Sequence, residues 1–301
     1  MSCAFAIAPT YAPLLLISKY HTILGPRVFR LIRSGHIALV RFMEEARPNW
    51  IVLSLADMKS AVRPIRQYAQ TLLSLSSETG VRVLMDSGGL ERYQIHAEYF
   101  QDPNCFDVPL TNLREQLSLN PAPGTITLLD DLRLVSPLEE LLRVGRDLTH
   151  EIENRRNKNS RILLVIHQSD ERNIPVLKHS RLIGAINEIA LPERELAKTP
   201  SLGKIGELLH RQLVVFGVDD LSLCGLRHHL QSGAYLGDSA AWLTRRLTTN
   251  DWSPSIHSDR WKVWDDSWQG LSEKRLAERL YENLVFLGET ERKIAGETRS
   301  K

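Results

Sequence analysis

Short apolar runs bounded by polar or turn-forming residues recur along the chain, and each run predicts a buried β-strand. The segments between most of these runs repeat apolar positions at helical spacing. Strands that alternate with helices in this way indicate an α/β fold with a parallel sheet. The eight predicted strands cover residues 14–18, 50–55, 81–86, 125–130, 161–167, 182–189, 212–218 and 234–238.

The number of predicted strands favours a (β/α)8 TIM barrel. The competing architecture is a doubly wound open sheet, which more often has fewer strands and a glycine-rich phosphate loop after the first. No such loop follows Ser18. We therefore expect an α/β TIM barrel with a short tryptophan-rich and helical C-terminal extension.

The barrel is expected to occupy residues 1–250 as a catalytic domain. Aromatic residues and prolines interrupt the periodic pattern at about 91–123, which predicts an insertion there. Residues 251–301 combine a tryptophan-rich segment with an amphipathic helix, Leu271 to Ile294, which is expected to close the barrel.

Composition changes this picture little. The net charge of +2 neither requires nor excludes a nucleic-acid partner. Three widely separated cysteines argue against a disulfide framework and form no metal-ligand cluster. No signal-peptide pattern or run long enough to span a bilayer is visible, so we expect a cytoplasmic protein without a membrane partner.

Polar residues stand where several predicted strands end, and the chemistry of a TIM barrel lies at the carboxyl ends of its strands. The clearest example is the run Val81 to Leu90, which passes from apolar residues into Asp-Ser-Gly-Gly. The candidates are Asp86, Ser87, Asp130, Asp131, His167, Gln168, Asp170, Asn187, Glu188 and Asp238.

Converging carboxylates permit three kinds of chemistry. They could bind a divalent metal, serve as nucleophile and general acid in glycosyl transfer, or recognise the polar edge of a heterocycle. A metal site in a barrel more typically recruits several histidines, and His167 is the only histidine at a predicted strand end. Glycosyl transfer is therefore favoured.

The segment Met85-Asp86-Ser87-Gly88-Gly89 resembles the Asp-Ser-Gly-Gly-(aromatic) signature of the tRNA-guanine transglycosylases and of the related enzymes that insert deazaguanine bases into DNA. Those enzymes are (β/α)8 barrels that exchange guanine for a 7-deazaguanine. The resemblance spans roughly residues 14–242. Leu90 stands in place of the usual aromatic residue, and Asn187-Glu188 in place of two glycines.

The resemblance is nearer to the divergent DNA-modifying enzymes. The zinc-binding Cys-x-Cys-x-x-Cys…His element that follows the barrel in the tRNA enzymes is absent, and the tryptophan-rich segment 251–269 stands in its place. The resemblance thus implies modification of DNA rather than tRNA. No zinc or other cofactor is expected.

The resemblance also implies roles for the strand-end residues. Asp238 would be the nucleophile that forms a covalent aspartyl–sugar intermediate, and Asp86 the acid that protonates the departing base and deprotonates its replacement. The residues implied to bind the base are Ser87, Asp130, Gln168, Glu188 and Gly217.

A base within a polynucleotide must be flipped out to reach such a pocket. The candidate phosphate contacts are Arg245, Arg246, Arg260 and Lys262. The expected partners are a nucleic acid, DNA or tRNA, and a free 7-deazaguanine base, together with a homodimer mate or a partner subunit.

Two other functions remain open at this stage. One is a base-releasing glycosidase or deazaguanine-salvage hydrolase of the same fold, which would use the same carboxylates with water as acceptor. The other is a non-catalytic, nucleic-acid-binding partner subunit. Retention of both Asp86 and Asp238 favours an enzyme over a pure binding module.

Overall fold

The computed structural model describes residues 5–87, 107–119, 126–129, 146–147, 149–154, 161–166, 178, 181–196, 209–218, 221, 223–244 and 270–299. Within these ranges, eight parallel strands pair in sequence order and close into a barrel, because the last strand pairs with the first. The TIM-barrel prediction is therefore confirmed. The strands are β1 (Ala6–Tyr11), β2 (Trp50–Ser54), β3 (Arg82–Asp86), β4 (Ile126–Leu129), β5 (Arg161–Val165), β6 (Glu188–Pro192), β7 (Gln212–Phe216) and β8 (Ala234–Ser239).

Helices follow most of the strands and surround the barrel. None of the described helices is long and apolar enough to cross a membrane. They are α1 (Pro13–Leu24), α2 (Arg27–Glu45), α3 (Leu55–Met58), α4 (Arg63–Thr79), α5 (Asp107–Ser118), α6 (Arg181–Ala185), α7 (Glu193–Leu196), α8 (Leu223–Gln231), α9 (Ala241–Thr244) and α10 (Glu273–Arg299).

In β1, β2, β3, β5, β6 and β7, alternate apolar residues enter two separate layers, as the two-residue period of a strand requires. In β2, Ile51 and Leu53 join the larger cluster between the strands and the helices. The inner cluster fills the barrel and consists of Ala6, Ala8, Trp50, Val52, Leu84, Leu163, Val165, Ala190, Val214 and Leu236.

This alternation identifies which polar strand residues face the interior. At the carboxyl ends, the residues in phase with the inner cluster are Thr10, Ser54, Asp86 and Asp238. At the amino ends, they are Arg82, Arg161, Glu188 and Gln212. We call these two ends the carboxyl mouth and the amino mouth.

The first strand lies earlier than predicted. Residues 14–18 belong to α1, and β1 is Ala6–Tyr11. Pro13 occupies the first turn of α1, where its missing N–H is harmless and its fixed φ suits a helix. The apolar run after Pro13 is therefore helical. The true first strand was not predicted because its alanines give only a weak apolar pattern.

The sixth strand also differs from its prediction over residues 182–189. Residues 181–185 form α6, and β6 begins only at Glu188. Glu188 was predicted at the carboxyl end of this strand, but it stands at the amino end. The prediction that it binds the base at the carboxyl mouth is therefore wrong.

The predicted closing helix is present as α10 and packs along α2. Its Asn283 side-chain amide donates a 2.8 Å hydrogen bond to the carbonyl of Trp242, a fully buried residue of α9. Near its other end, Glu291 accepts a hydrogen bond from the backbone N–H of Ile7 in β1. The helix thus braces the part of the barrel where the first and last strands meet.

Part of the predicted insertion is regular, because α5 occupies residues 107–118. Residues 149–154, between β4 and β5, are helical. The tryptophan-rich segment, residues 251–269, lies outside the described residues.

His36 is a half-buried ring between α2 and α4. It stacks on Tyr68, with ring centroids 4.4 Å apart, and its buried Nδ1 has no hydrogen-bond partner in the described part of the chain. Burial lowers the pKa of His36 from 6.5 to about 4. The folded protein therefore holds this ring neutral where the unfolded chain binds a proton.

Stability should therefore fall as the pH drops from 6.5 towards 4, because only the unfolded state gains the proton over that range. Between pH 6.5 and 5, we expect the free energy of unfolding to fall by about 1–2 kcal/mol less in His36→Phe than in the wild type. Urea unfolding at both pH values measures this loss. His21→Gln, at an exposed position of α1, is the control and should leave the pH dependence unchanged; an equal pH dependence in His36→Phe and the wild type would contradict the assignment.

Candidate active site at the carboxyl mouth

Asp238 is a polar side chain held at two points at the carboxyl mouth. Its Oδ2 accepts a 2.7 Å hydrogen bond from the hydroxyl of Thr10, and its Oδ1 accepts a 2.6 Å hydrogen bond from the backbone N–H of Gly217. Both carboxylate oxygens are thus oriented by neighbouring strands, one on each side of β8. These bonds fix the direction in which the charge faces.

The backbone around Asp238 is built for this contact. Gly217 follows β7 with a φ of +67°, a conformation in which a side chain would be strained. The next N–H, of Val218, donates to the carbonyl of Asp238 at 2.8 Å, and Ser239 returns a hydrogen bond to the carbonyl of Val218. The ends of β7 and β8 are therefore fastened together.

Thr10 is itself anchored. Its carbonyl accepts a 3.1 Å hydrogen bond from the indole N–H of Trp242, which is completely buried beneath β1. A threonine in a rigid strand loses little further entropy when its hydroxyl binds Asp238. Sequence analysis missed Thr10 because it assigned β1 to the wrong residues.

Asp86 and Ser87 end β3 on the same mouth. Asp86 pairs in register with Ser54 of β2 and is half-buried, whereas Ser87 is 2% exposed. Asp86 shares its inner face with Leu84, so its side chain enters the mouth from a wall different from that of Asp238. The structure thus brings Asp86, Ser87, Gly217 and Asp238 to one end of the barrel, as predicted.

Ser54 is a second residue that sequence analysis missed. It is 1% exposed, it faces the interior in phase with Val52, and its Oγ has no hydrogen-bond partner among the residues described. A buried hydroxyl that makes no hydrogen bond destabilises a protein by about 1–3 kcal/mol. It is therefore a candidate to bind a ligand that enters the mouth. Its position inside the apolar stretch 51–55 gave no signal in the sequence.

Phe216 supplies an aromatic surface at the end of β7. Its half-buried ring packs against the inner apolar cluster, directly before Gly217. The inner positions of β1 are the alanines Ala6 and Ala8, which occupy little of the interior. The mouth therefore combines two carboxylates, a free hydroxyl and an apolar ring.

Other predicted site residues lie outside the described residues, and their roles stay predictions. They are Asp130, Gln168, Arg245, Arg246, Arg260 and Lys262. The N–H of Gly217 is engaged by Asp238, so this residue contributes to the site by orienting that carboxylate. Within the described ranges, no cluster of three or more histidine, cysteine, aspartate or glutamate side chains could hold a metal ion.

Glu188 takes part in a different network at the amino mouth. It is fully buried and forms an ion pair with Arg161 at the start of β5, and Arg161 also donates to the side chain of Gln212. The hydroxyl of Tyr235 donates to Glu188 at 3.4 Å. A buried carboxylate is tolerated when it is paired with a cation in this way.

No family model and no curated protein matches the chain. Among solved structures, it is similar to a mutant tryptophan synthase α-subunit from Pyrococcus furiosus, with 11% identity over 94% of this chain and 97% of that chain, at a TM-score of 0.45. It is also similar to the HpcH/HpaI aldolase from Desulfitobacterium hafniense DCB-2, with 12% identity over 79% and 87% of the two chains, at a TM-score of 0.34. At these values the similarities carry no information about the chemistry of the carboxyl mouth.

Replacing Ser54 tests whether its hydroxyl contributes to the stability of the fold. Ser54→Ala removes a buried hydroxyl that makes no hydrogen bond, so we expect the free energy of unfolding to stay the same or to rise by about 1 kcal/mol. Ser34→Ala is the matched control, because Ser34 is also buried but donates a hydrogen bond to the carbonyl of Glu273. It should lose about 1 kcal/mol in the same urea titration. A larger loss in Ser54→Ala than in Ser34→Ala would contradict this account.

Proposed function

We propose that this protein is an enzyme that replaces guanine in a nucleic acid, DNA rather than tRNA, by a 7-deazaguanine through a covalent aspartyl–sugar intermediate. The observation that carries the proposal is the two-point fixation of Asp238 by Thr10 and Gly217 inside the carboxyl mouth. These two donors, a hydroxyl and a backbone N–H, aim the carboxylate from both sides. An aimed carboxylate is what nucleophilic attack on a sugar carbon requires.

The second carboxylate supports the same chemistry. Asp86 lies on β3, three strand positions around the barrel from Asp238 on β8. At about 4.8 Å per strand, their backbones are roughly 14 Å apart along the wall, so inward side chains approach a molecule between them from different sides. One carboxylate can then face the sugar while the other faces the base.

The proposed reaction has two displacements. The Asp238 carboxylate attacks the anomeric carbon, the bond from that carbon to the guanine nitrogen breaks, and the electron pair leaves with the base as Asp86 protonates the nitrogen. Asp86 then removes the proton from the corresponding nitrogen of the 7-deazaguanine. That nitrogen attacks the anomeric carbon and displaces Asp238, so two inversions give net retention.

The mouth also offers surfaces suited to a planar, polar base. The ring of Phe216 provides an aromatic face, which compensates for the aliphatic Leu90 in the segment after β3. The buried hydroxyl of Ser54 can hydrogen-bond to a sugar or base that reaches the inner wall. In the proposal, Asp130 and Gln168 recognise the guanine edge, as the resemblance implies.

The preference for DNA follows from the missing zinc-binding element, since the resemblance is nearer to the DNA-modifying enzymes. The flipped guanine would leave its duplex to enter the mouth. Arg245, Arg246, Arg260 and Lys262 remain the proposed phosphate contacts.

The direct assay is release of radiolabelled guanine from DNA and, separately, from tRNA, with and without 7-cyano-7-deazaguanine. We expect release from DNA that depends on the deazaguanine. Release without the deazaguanine would indicate water as acceptor and would contradict base exchange. Absence of release from either polymer would contradict the proposed function as a whole.

Replacement of the carboxylates tests the assigned roles. Asp238→Asn keeps the shape of the side chain but removes the nucleophile, so we expect at least a 1,000-fold loss of guanine release. Asp86→Asn should lose about 100- to 10,000-fold, the range typical of general acid catalysis. Asp147→Asn, at an exposed position, is the matched control and should retain full activity. Full activity in Asp238→Asn would rule out the mechanism.

A further inference from the structure

The amino mouth contains an arginine, Arg82, that forms no ion pair with any carboxylate of the described residues. Arg82 begins β3 and faces the interior in phase with Leu84. Its guanidinium lies 4.2 Å from the centre of the Trp50 ring, and across the described ranges it makes no side-chain hydrogen bond or ion pair. The five N–H donors of its planar group are therefore available to an acceptor.

The neighbouring cation is arranged differently. Arg161, at the start of β5, also faces the interior, but it is paired with Glu188 and Gln212. Its positive charge lies close enough to act on Arg82, and burial and this charge both lower the pKa of Arg82. The amino mouth thus holds two guanidinium groups that act on each other electrostatically, and among the described residues only that of Arg161 is in an ion pair.

Glu291 of α10 is the nearby carboxylate that could have paired Arg82, but it is turned to other donors. Its oxygens accept hydrogen bonds from the side chain of Asn49 and the backbone N–H of Ile7. Burial disfavours the negatively charged form of Glu291 and so raises the pKa of this carboxyl. Arg82 and Glu291 interact electrostatically but form no ion pair.

We propose that the amino mouth binds a small oxyanion, a phosphate or carboxylate group, through the guanidinium of Arg82. The guanidinium lies over the ring of the buried Trp50, and this cation–π contact holds the group in place before the ligand arrives. The planar fork matches two oxygens of either anion. This site lies at the end of the barrel opposite the carboxyl mouth and does not depend on the proposed base exchange.

The test is a titration of the full-length protein with inorganic phosphate at pH 7 and constant ionic strength, with sodium chloride as the balancing salt. The midpoint of thermal unfolding reports binding, because a ligand of the folded state raises it in a saturable way. We expect saturation in the wild type and at least tenfold weaker binding in Arg82→Gln. Arg63→Gln, at an exposed position of α4, should bind phosphate as the wild type does.

Arg82→Lys keeps the positive charge but lacks the fork, and it serves if Arg82→Gln fails to fold by near-ultraviolet circular dichroism. It should bind phosphate at least threefold more weakly than the wild type. A parallel titration with acetate distinguishes the two anion sources, since saturable, Arg82-dependent binding of phosphate alone identifies a phosphate group. Unsaturable stabilisation by phosphate, or equal affinity in the wild type and both Arg82 variants, would overturn the proposal.

Discussion

The hydrogen bond between Thr10 and Asp238 is the contact on which the candidate site depends. It joins residues 228 positions apart in sequence and crosses the seam where the last strand meets the first. Trp242 fixes Thr10 from below, and α10 holds Trp242 in turn through Asn283. Closure of the barrel and orientation of the carboxylate therefore depend on the same hydrogen bonds, so a substitution that breaks the contacts between β1 and β8 would weaken both.

Strand alternation divides the polar interior into two ends with different properties. At the amino mouth, the buried carboxylate of Glu188 is paired with Arg161. At the carboxyl mouth, Asp238 is oriented by uncharged donors, and Ser54 has a buried hydroxyl without a hydrogen bond in the described residues. TIM barrels place their active sites at the carboxyl ends of their strands, so oriented polar groups at this mouth are suited to binding and chemistry.

Much of the barrel could be predicted because six of its strands are apolar runs with clear ends, and Asp86 and Asp238 follow from those ends. Thr10 could not, because two alanines and a proline give β1 a weaker apolar signal than the leucine-rich start of α1. Glu188 was misplaced because apolar residues continue from α6 into β6, and periodicity alone cannot separate them. Whether the Ser54 hydroxyl finds a hydrogen-bond partner depends on tertiary packing, which a local sequence pattern does not report.

The central claim is that Asp238 becomes covalently attached to the sugar. The most direct measurement is mass spectrometry of the protein quenched with acid during turnover on a guanine-containing DNA oligonucleotide, followed by peptide mapping. The account predicts an adduct with the mass of the oligonucleotide minus one guanine, located on the peptide that contains Asp238 and absent from Asp238→Asn. An adduct on another residue, or guanine release with no adduct at any time of quenching, would contradict it.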